Sequence, residues 1–196
     1  MTVSAVRVGA WLWVLALVVL LIAHVVVESA WDPPYSWLHN NISDLGNVHC
    51  GAWGDNRRYV CSPRHGWMNA AFVVIGLLLV TGVVLLRRST GRVAAVLLGF
   101  AGLGWVWVGL MPADVNEGLH LLAVLPIFLG GNIALLLTRR RGAMIAGALG
   151  LLAMVLHLSG HYAGLGMGGT ERVAAFVLPL WAAATGALTL ARPRSS

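Results

Sequence analysis

The sequence predicts an all-α integral membrane protein, a bundle of six transmembrane helices with both termini in the cytoplasm and one long loop on the outer side. Two observations lead to this fold class. First, 59% of the 196 residues are hydrophobic and only 10% are charged, which is too apolar for a soluble domain of this length. Second, the apolar residues fall into six runs, each about as long as a membrane-spanning helix.

The six apolar runs account for most of the chain, and we therefore expect a single membrane domain over residues 1–196. A spanning helix needs about 20 mostly apolar residues, and the predicted spans cover residues 10–27, 66–86, 93–111, 119–137, 143–160 and 173–190. A cleaved signal peptide is the alternative for the first run, but that run is longer than the apolar region of an ordinary signal sequence. The polar segment 28–65 is the outer loop, and it is long enough to fold over the helices.

The arginines indicate which way the spans run. The chain contains no lysine, and its formal net charge of +6 comes from 13 arginines and seven acids. If the loops alternate across the bilayer, nine arginines share one side, and all seven acids fall on the other side with the remaining four. Cytoplasmic loops are enriched in arginine, so we expect the cytoplasmic side to carry Arg7, Arg87, Arg88, Arg92, Arg139, Arg140, Arg141, Arg192 and Arg194. This placement argues against a nucleic-acid partner, which needs basic residues on one folded face.

Cys50 and Cys61 both lie in the outer loop. Since compartments outside the cytoplasm are oxidising, we expect these two cysteines to form a disulfide. Two unpaired thiols are the alternative, because a sequence does not show how close the two Cα atoms come.

Polar side chains concentrate on the same outer side. All seven histidines fall in outer loops or at the outer ends of spans. Ionisable groups within spans are costly unless they face the bundle interior, and so they mark candidate functional sites. We therefore predict an outward-facing polar site that binds a lipid headgroup or a small molecule. Its candidate binding residues are His39, Ser43, Asp44, His65, Asn69, Asn116, His120, Glu171 and Arg172.

A metal site is the most specific version of this hypothesis. His157 and His161 are spaced as two zinc ligands on one helical face would be, and His120 offers a third nitrogen. The segment lacks the glutamate of the HExxH pattern. Hydrogen bonding between helices is the alternative role for these histidines, so zinc is one of two interpretations.

Two outer segments allow both a chemical and a structural interpretation. Ser43 beside Asp44 offers parts of a serine or acid–base site, but the pair also suits a turn or a helix N-cap, which we prefer. The glycine-rich residues 164–169 precede Glu171 and Arg172 at the start of the sixth span. We interpret this run as a flexible turn, with an anion-binding cradle of backbone amides as the alternative.

Four outer motifs resemble a known family of membrane proteins. They are HNNISDLG at residues 39–46, SPRH leading into MNA at residues 62–70, PADVN at residues 112–116 followed by His120, and GLGMGGTER at residues 164–172. Together they resemble the family catalogued as domain of unknown function 998, and the likeness spans nearly the whole chain. The resemblance implies a small multi-pass protein of the bacterial inner membrane, and it implies no particular reaction.

Three functional hypotheses stay open at this point. The first is a binding protein for a lipid headgroup or a small molecule. The second is an intramembrane enzyme, with or without a metal ion, that modifies a lipid. The third is a structural partner that docks another membrane protein through aromatic residues of the outer loop. Those aromatic residues are Trp31, Tyr35, Trp37 and Trp53.

Overall fold

The computed structural model describes residues 3–54 and 56–192, without the side chains of Arg88 and Ser89. Asp55 and Arg194, which the sequence assigns to opposite sides of the membrane, lie outside the described residues, as does the side chain of Arg88. Within the described part, six helices are long and apolar enough to cross a membrane. The predicted all-α membrane fold with six spans is therefore confirmed.

One of the six spans contains a π-helical turn and is divided by it. In the described part of the chain the helices are α1 (Val3–Glu28), α2 (His65–Thr90), α3 (Arg92–Leu110), α4 (Glu117–Leu125), α5 (Asn132–Leu137), α6 (Arg141–Ser159) and α7 (Gly166–Ala191). The π-helical turn Pro126–Gly131 joins α4 to α5 within the fourth span. Pro126 has no backbone N–H and so interrupts the α-helical hydrogen bonds, and wide turns of this kind are frequent at functional sites.

Neighbouring spans run antiparallel, so the bundle has two chemically different ends. Gly9 near the start of α1 packs against Leu86 near the end of α2, and Gly109 near the end of α3 packs against Asn69 near the start of α2. We call one end the arginine end, and it carries Arg7, Arg87, Arg92, Arg139, Arg140, Arg141 and Arg192. The opposite end carries Asp114 and the described residues between α1 and α2, for which we keep the name outer segment from the sequence prediction, and we call it the polar end. Arg87 and Asp114 thus lie at opposite ends, as the alternation of loops predicts.

Glycines bring the spans into close contact. Gly76 in α2 lies against the backbone of Gly102 in α3, and Gly82 lies against the ring of Trp13 in α1. The Nε1–H of Trp13 donates to the carbonyl of Leu79 at 3.3 Å. Small residues therefore set the separation of these helices, as expected where lipid provides no hydrophobic drive between them.

Asn132 links the fourth span to the sixth in the middle of the bundle. Its side chain is buried, and its Nδ2 donates to the carbonyls of Phe128 at 2.7 Å and Ala174 at 2.9 Å. Hydrogen bonds of this kind hold helices together in lipid. Asn132 therefore has a packing role.

The helices cover the predicted spans to within one residue, but α1 is helical from Val3, seven residues before its predicted start, and α2 ends four residues after its predicted end, at Thr90. α7 also begins seven residues early, at Gly166, so Glu171 and Arg172 lie in its second turn and the predicted flexible turn is wrong over residues 166–169. α6 ends at Ser159, and Gly160 adopts a left-handed conformation with a φ of 72°. His161 therefore lies outside the helix that carries His157. The prediction that these two histidines share one helical face is also wrong.

The outer segment between α1 and α2 folds over the polar end. It contains a 3₁₀-helical turn, Ser43–Gly46, and a hairpin of two antiparallel strands, β1 (Gly51–Trp53) and β2 (Arg58–Val60). Cys50 and Cys61 flank this hairpin. The disulfide predicted between them is confirmed.

Candidate functional site

Arg172 fastens the first half of the outer segment to the start of α7. The side chain is only 6% exposed, and its Nη1 donates to the carbonyls of Trp37 at 2.9 Å and Asn40 at 3.1 Å. The guanidinium also lies over the Trp37 ring, with 4.7 Å between Cζ and the ring centroid. Arg172 therefore anchors the loop to the helix.

Tyr35 extends this anchor along the loop. Its hydroxyl accepts a hydrogen bond from Nη2 of Arg172 and donates to the carbonyl of Asn41 at 2.8 Å. Burial raises the pKa of the Tyr35 hydroxyl above its usual value. The group therefore stays protonated and keeps its role as a donor.

Gly168 allows the loop to approach α7 closely. Its N–H donates to the carbonyl of Leu38 at 3.1 Å, and a Cβ at this position would meet the backbone carbonyls of Trp37 and Asn40. The carbonyl of Leu38 thus accepts the hydrogen bond of the Gly168 amide, which an anion bound at the start of α7 would need. Gly166 and Gly168 therefore serve packing between the loop and the helix.

Asp44 holds the 3₁₀-helical turn in place. The side chain is fully buried, and its two oxygens accept from Nε and Nη2 of Arg58 at 2.9 and 2.6 Å. The N–H of Asn41 donates to the same carboxylate at 2.9 Å, and Nδ2 of Asn40 donates at 3.3 Å. Four donors occupy this carboxylate, which supports the structural interpretation of Ser43 and Asp44 over a nucleophilic pair.

A small cavity, which we call the Glu171 cavity, lies beneath this turn between α2, α3, the fourth span and α7. Its volume is about 30 Å³, which is room for about two water-sized groups. The walls are mostly apolar and include three aromatic rings, and three polar residues chosen from the sequence also line them. These residues are Phe72, Trp105 and Phe128, together with Ser43, His120 and Glu171.

Glu171 contributes a carboxylate to the cavity. It is 7% exposed, and its Oε2 accepts a hydrogen bond from the N–H of Ile42, which also lines the cavity. In the described part of the chain, no ion pair joins Glu171 to a basic side chain, because the neighbouring Arg172 directs its Nη donors at the loop. A buried carboxylate without a cationic partner is costly, and within a membrane protein it marks a functional candidate.

His120 contributes an acceptor nitrogen. Its Nδ1 lies 2.7 Å from the carbonyl of Met111, and since a carbonyl only accepts, Nδ1 carries the hydrogen and Nε2 of the neutral ring is the acceptor. The Nε1–H of Trp105 is buried without a partner. Among the described residues, the Ser43 hydroxyl also makes no hydrogen bond. The cavity thus presents donors and acceptors that the protein leaves unused.

Three other predicted binding residues have structural roles away from this cavity. Asn116 caps α4, since its side chain accepts from the N–H of Leu119 at 3.0 Å. Asn69 donates to the carbonyl of Gly46 at 2.9 Å and so connects α2 to the 3₁₀-helical turn. His65 lies at the start of α2, with its Nδ1 3.0 Å from a carbonyl of the preceding turn. The structure does not bring these residues together with Glu171.

The histidines proposed as zinc ligands lie apart from one another. His157 places its Nδ1 3.1 Å from the carbonyl of Met167, whereas His120 lines the Glu171 cavity. His161 is exposed and lies at a surface hollow that it shares with His39. Over the described residues, no group of three histidine, cysteine or acidic side chains is placed to hold a metal ion. Zinc at His120, His157 and His161 stays a prediction that the structure does not support.

Sequence reasoning missed the aromatic walls of the cavity. Phe72, Trp105 and Phe128 belong to continuous apolar runs, in which residues facing the bundle interior and residues facing lipid have the same chemistry. Pro126 was the available signal, because a proline inside an apolar run predicts a distorted helix. The π-helical turn that begins at Pro126 contains Phe128, which lies in the cavity wall.

Six antiparallel spans, with an outer segment fastened over one end and a small, mostly apolar cavity beneath it, define an α-helical multi-pass integral membrane protein. The chain belongs to the family described as protein of unknown function (DUF998), whose model matches residues 8–188. The resemblance carried by the four outer motifs is thus confirmed. No curated protein and no solved structure matches the chain.

Proposed function

We propose that this protein binds the polar group of a lipid or a small molecule in the Glu171 cavity. The observation that carries this proposal is that Ser43, His120 and Glu171 come from distant parts of the sequence and line one aromatic-walled cavity. An apolar pocket with a few convergent polar groups is the usual form of a ligand site. Because the cavity holds only about two water-sized groups, it receives the polar tip of a ligand.

The unused polar atoms of the cavity support binding over packing alone. Buried polar groups are nearly always hydrogen-bonded, and an unsatisfied one costs about 1–3 kcal/mol. The Nε1–H of Trp105 has no partner, and Nε2 of His120 accepts no hydrogen bond from the described residues. A ligand that supplies these partners would gain affinity from them.

The two alternative functions have less support. A nucleophilic mechanism would need His120 to activate Ser43, but no hydrogen bond joins these side chains. A docking surface built from the aromatic residues of the outer loop would need them to be exposed, but Trp31 is 8% exposed and Tyr35 is partly buried. Trp37 is exposed, but its ring packs on the guanidinium of Arg172.

Replacing Glu171 by glutamine is expected to lower ligand retention about tenfold or more, since a hydrogen bond to a charged group contributes about 1.5–3 kcal/mol. Native mass spectrometry of the detergent-purified protein measures the fraction that carries a bound lipid or small molecule. Glu117→Gln is the matched control, because Glu117 is an exposed carboxylate at the same end of the bundle. Equal retention by the wild type and both variants would contradict the proposed site.

We further propose that the polar end faces the outside of the cytoplasmic membrane and that both termini are cytoplasmic. Two independent observations support this orientation. Arginines gather at the opposite end, as cytoplasmic loops require. The Cys50–Cys61 disulfide lies at the polar end, and disulfides persist in oxidising compartments.

The orientation predicts opposite labelling of two matched cysteine variants in intact cells. Gly118→Cys at the polar end is expected to react with a membrane-impermeant maleimide, whereas Gly142→Cys at the arginine end reacts only after the membrane is permeabilised. Both glycines are exposed second residues of their helices. The described part contains no free cysteine, so the unmodified protein is a blank. The reverse labelling pattern would show that the orientation is wrong.

A further inference from the structure

We propose that the polar tip bound in the Glu171 cavity is a primary ammonium with a neighbouring oxygen, as in an amino alcohol. This inference rests on the proposed function and names the chemical class of its ligand. Three features of the cavity carry it: the buried carboxylate, the aromatic walls, and the small volume with its remaining donors and acceptors.

Glu171 places a buried carboxyl group in the cavity without a basic side chain in contact with it. The group accepts one hydrogen bond, from the N–H of Ile42. In the part of the chain that the structure describes, it forms no ion pair, and Arg172 uses its Nη donors on Trp37, Asn40 and Tyr35. Since an opposite charge in contact favours the ionised form of a carboxyl group, a cationic ligand group suits this position.

The aromatic walls favour a cation for a second, independent reason. The rings of Phe72 and Trp105 have centroids 5.5 Å apart and planes inclined by 50°, and Phe128 lines the same cavity. The face of an aromatic ring attracts a cation placed within about 6 Å of its centroid. A neutral hydroxyl group would not gain this interaction.

The volume and the remaining polar atoms select the kind of cation. About 30 Å³ accommodates about two water-sized groups, which suits a primary ammonium and the carbon that bears it, with the neighbouring oxygen at the mouth of the cavity, but not the three methyl groups of a quaternary ammonium. Nε2 of His120 and the carboxylate of Glu171 accept from the N–H groups of the ligand. The Nε1–H of Trp105 needs an acceptor, which the neighbouring oxygen supplies.

The test is competition between lipids for the full-length protein in nanodiscs of equal phosphatidylethanolamine, phosphatidylcholine and phosphatidylglycerol content. Native mass spectrometry after transfer to detergent measures the lipid that stays bound. We expect phosphatidylethanolamine to be retained about tenfold over each of the other two, as a charge-assisted hydrogen bond allows. If the natural ligand is instead a free amine, the lipids are retained equally but ethanolamine binds and ethylene glycol does not, which also supports the inference.

Two variants connect the preference to the cavity. Glu171→Gln is expected to abolish the preference for the amine, whereas Glu117→Gln keeps it. Phe128→Leu retains an apolar wall but removes a ring, and it is expected to lower the preference about threefold. This second variant keeps the inference testable even if Glu171→Gln does not fold.

The failures of the two proposals are distinguishable. Equal retention of the three lipids, with no difference between ethanolamine and ethylene glycol, overturns the ammonium inference. If Glu171→Gln still lowers total retention in that case, the proposed function stands. Retention that does not respond to Glu171→Gln or Phe128→Leu overturns both.

Discussion

Asp44→Asn is expected to lower the free energy of unfolding by about 3–5 kcal/mol, because it removes one partner of a buried ion pair and leaves the other uncompensated. Arg58 lies against Asp44 with two charged hydrogen bonds of 2.6 and 2.9 Å, and the two side chains are 12% and 1% exposed. The substitution also places an amide where the carboxylate accepts from the N–H of Asn41. The measurement is equilibrium unfolding in mixed micelles with the disulfide intact, followed by circular dichroism.

The double variant Asp44→Asn/Arg58→Met is the control for this prediction. It removes both charges, so the penalty for an unpaired guanidinium disappears and a large part of the lost stability is expected to return. If the double variant loses as much stability as Asp44→Asn and Arg58→Met lose in sum when made separately, the ion pair does not stabilise the turn.

Arg172→Met is expected to lower the free energy of unfolding by about 3 kcal/mol. The change leaves two buried carbonyls and a hydroxyl without their donor, and each unsatisfied group costs about 1–3 kcal/mol before the loop relaxes. These acceptors belong to Trp37, Asn40 and Tyr35. Arg172→Lys is expected to recover only part of the loss, because an ammonium cannot reproduce the planar fork of the guanidinium.

Arg64→Met provides a matched control for Arg172→Met at the same end of the bundle. Arg64 is exposed, and its Nη1 donates to the carbonyl of Val26 at 2.8 Å. Surface substitutions usually change stability by less than about 0.5 kcal/mol. Equal losses for the two arginine variants in the same unfolding assay would show that Arg172 does not anchor the loop.

Both of the larger substitutions are also relevant to the cavity. Asp44 and Arg172 hold Asn40 and Asn41, which directly precede Ile42, and Ile42 lines the Glu171 cavity and donates to its carboxylate. Loosening the loop therefore removes a wall of the proposed site. Asp44 and Arg172, which the sequence suggested as binding residues, therefore support the proposed site through the loop.

The spans could be predicted because the energy that drives a helix into lipid is a property of the local sequence. About 20 apolar residues in a row suffice to identify a span, and the arginine clusters separate the two ends without any knowledge of packing. The sequence also shows Pro126 within the fourth span. It does not predict the π-helical turn that begins there, because that turn depends on the helices packed around it.

The candidate site could be predicted only in part. Glu171 and His120 stood out because ionisable groups within spans are costly, and they do line one cavity. The glycines from Gly166 onward were misinterpreted as a flexible turn, since a glycine that permits a turn and one that permits close packing are the same in sequence. Gly168 is helical because the carbonyl of Leu38 satisfies its N–H, a contact across 130 residues.

The amino-acid sequence by itself determined that this chain lies in a membrane, that it has six spans, and that its acids lie at the end opposite to most of its arginines. These properties depend on the transfer of short segments from water to lipid, and each segment contributes independently of the others. The tertiary structure alone decided which polar groups form hydrogen bonds within the protein and which do not. The Nη donors of Arg172 are used on the outer loop, and Glu171 therefore forms no ion pair with that arginine. Whether a polar group is satisfied depends on which distant donors and acceptors come within hydrogen-bonding distance, and only the folded chain sets those distances.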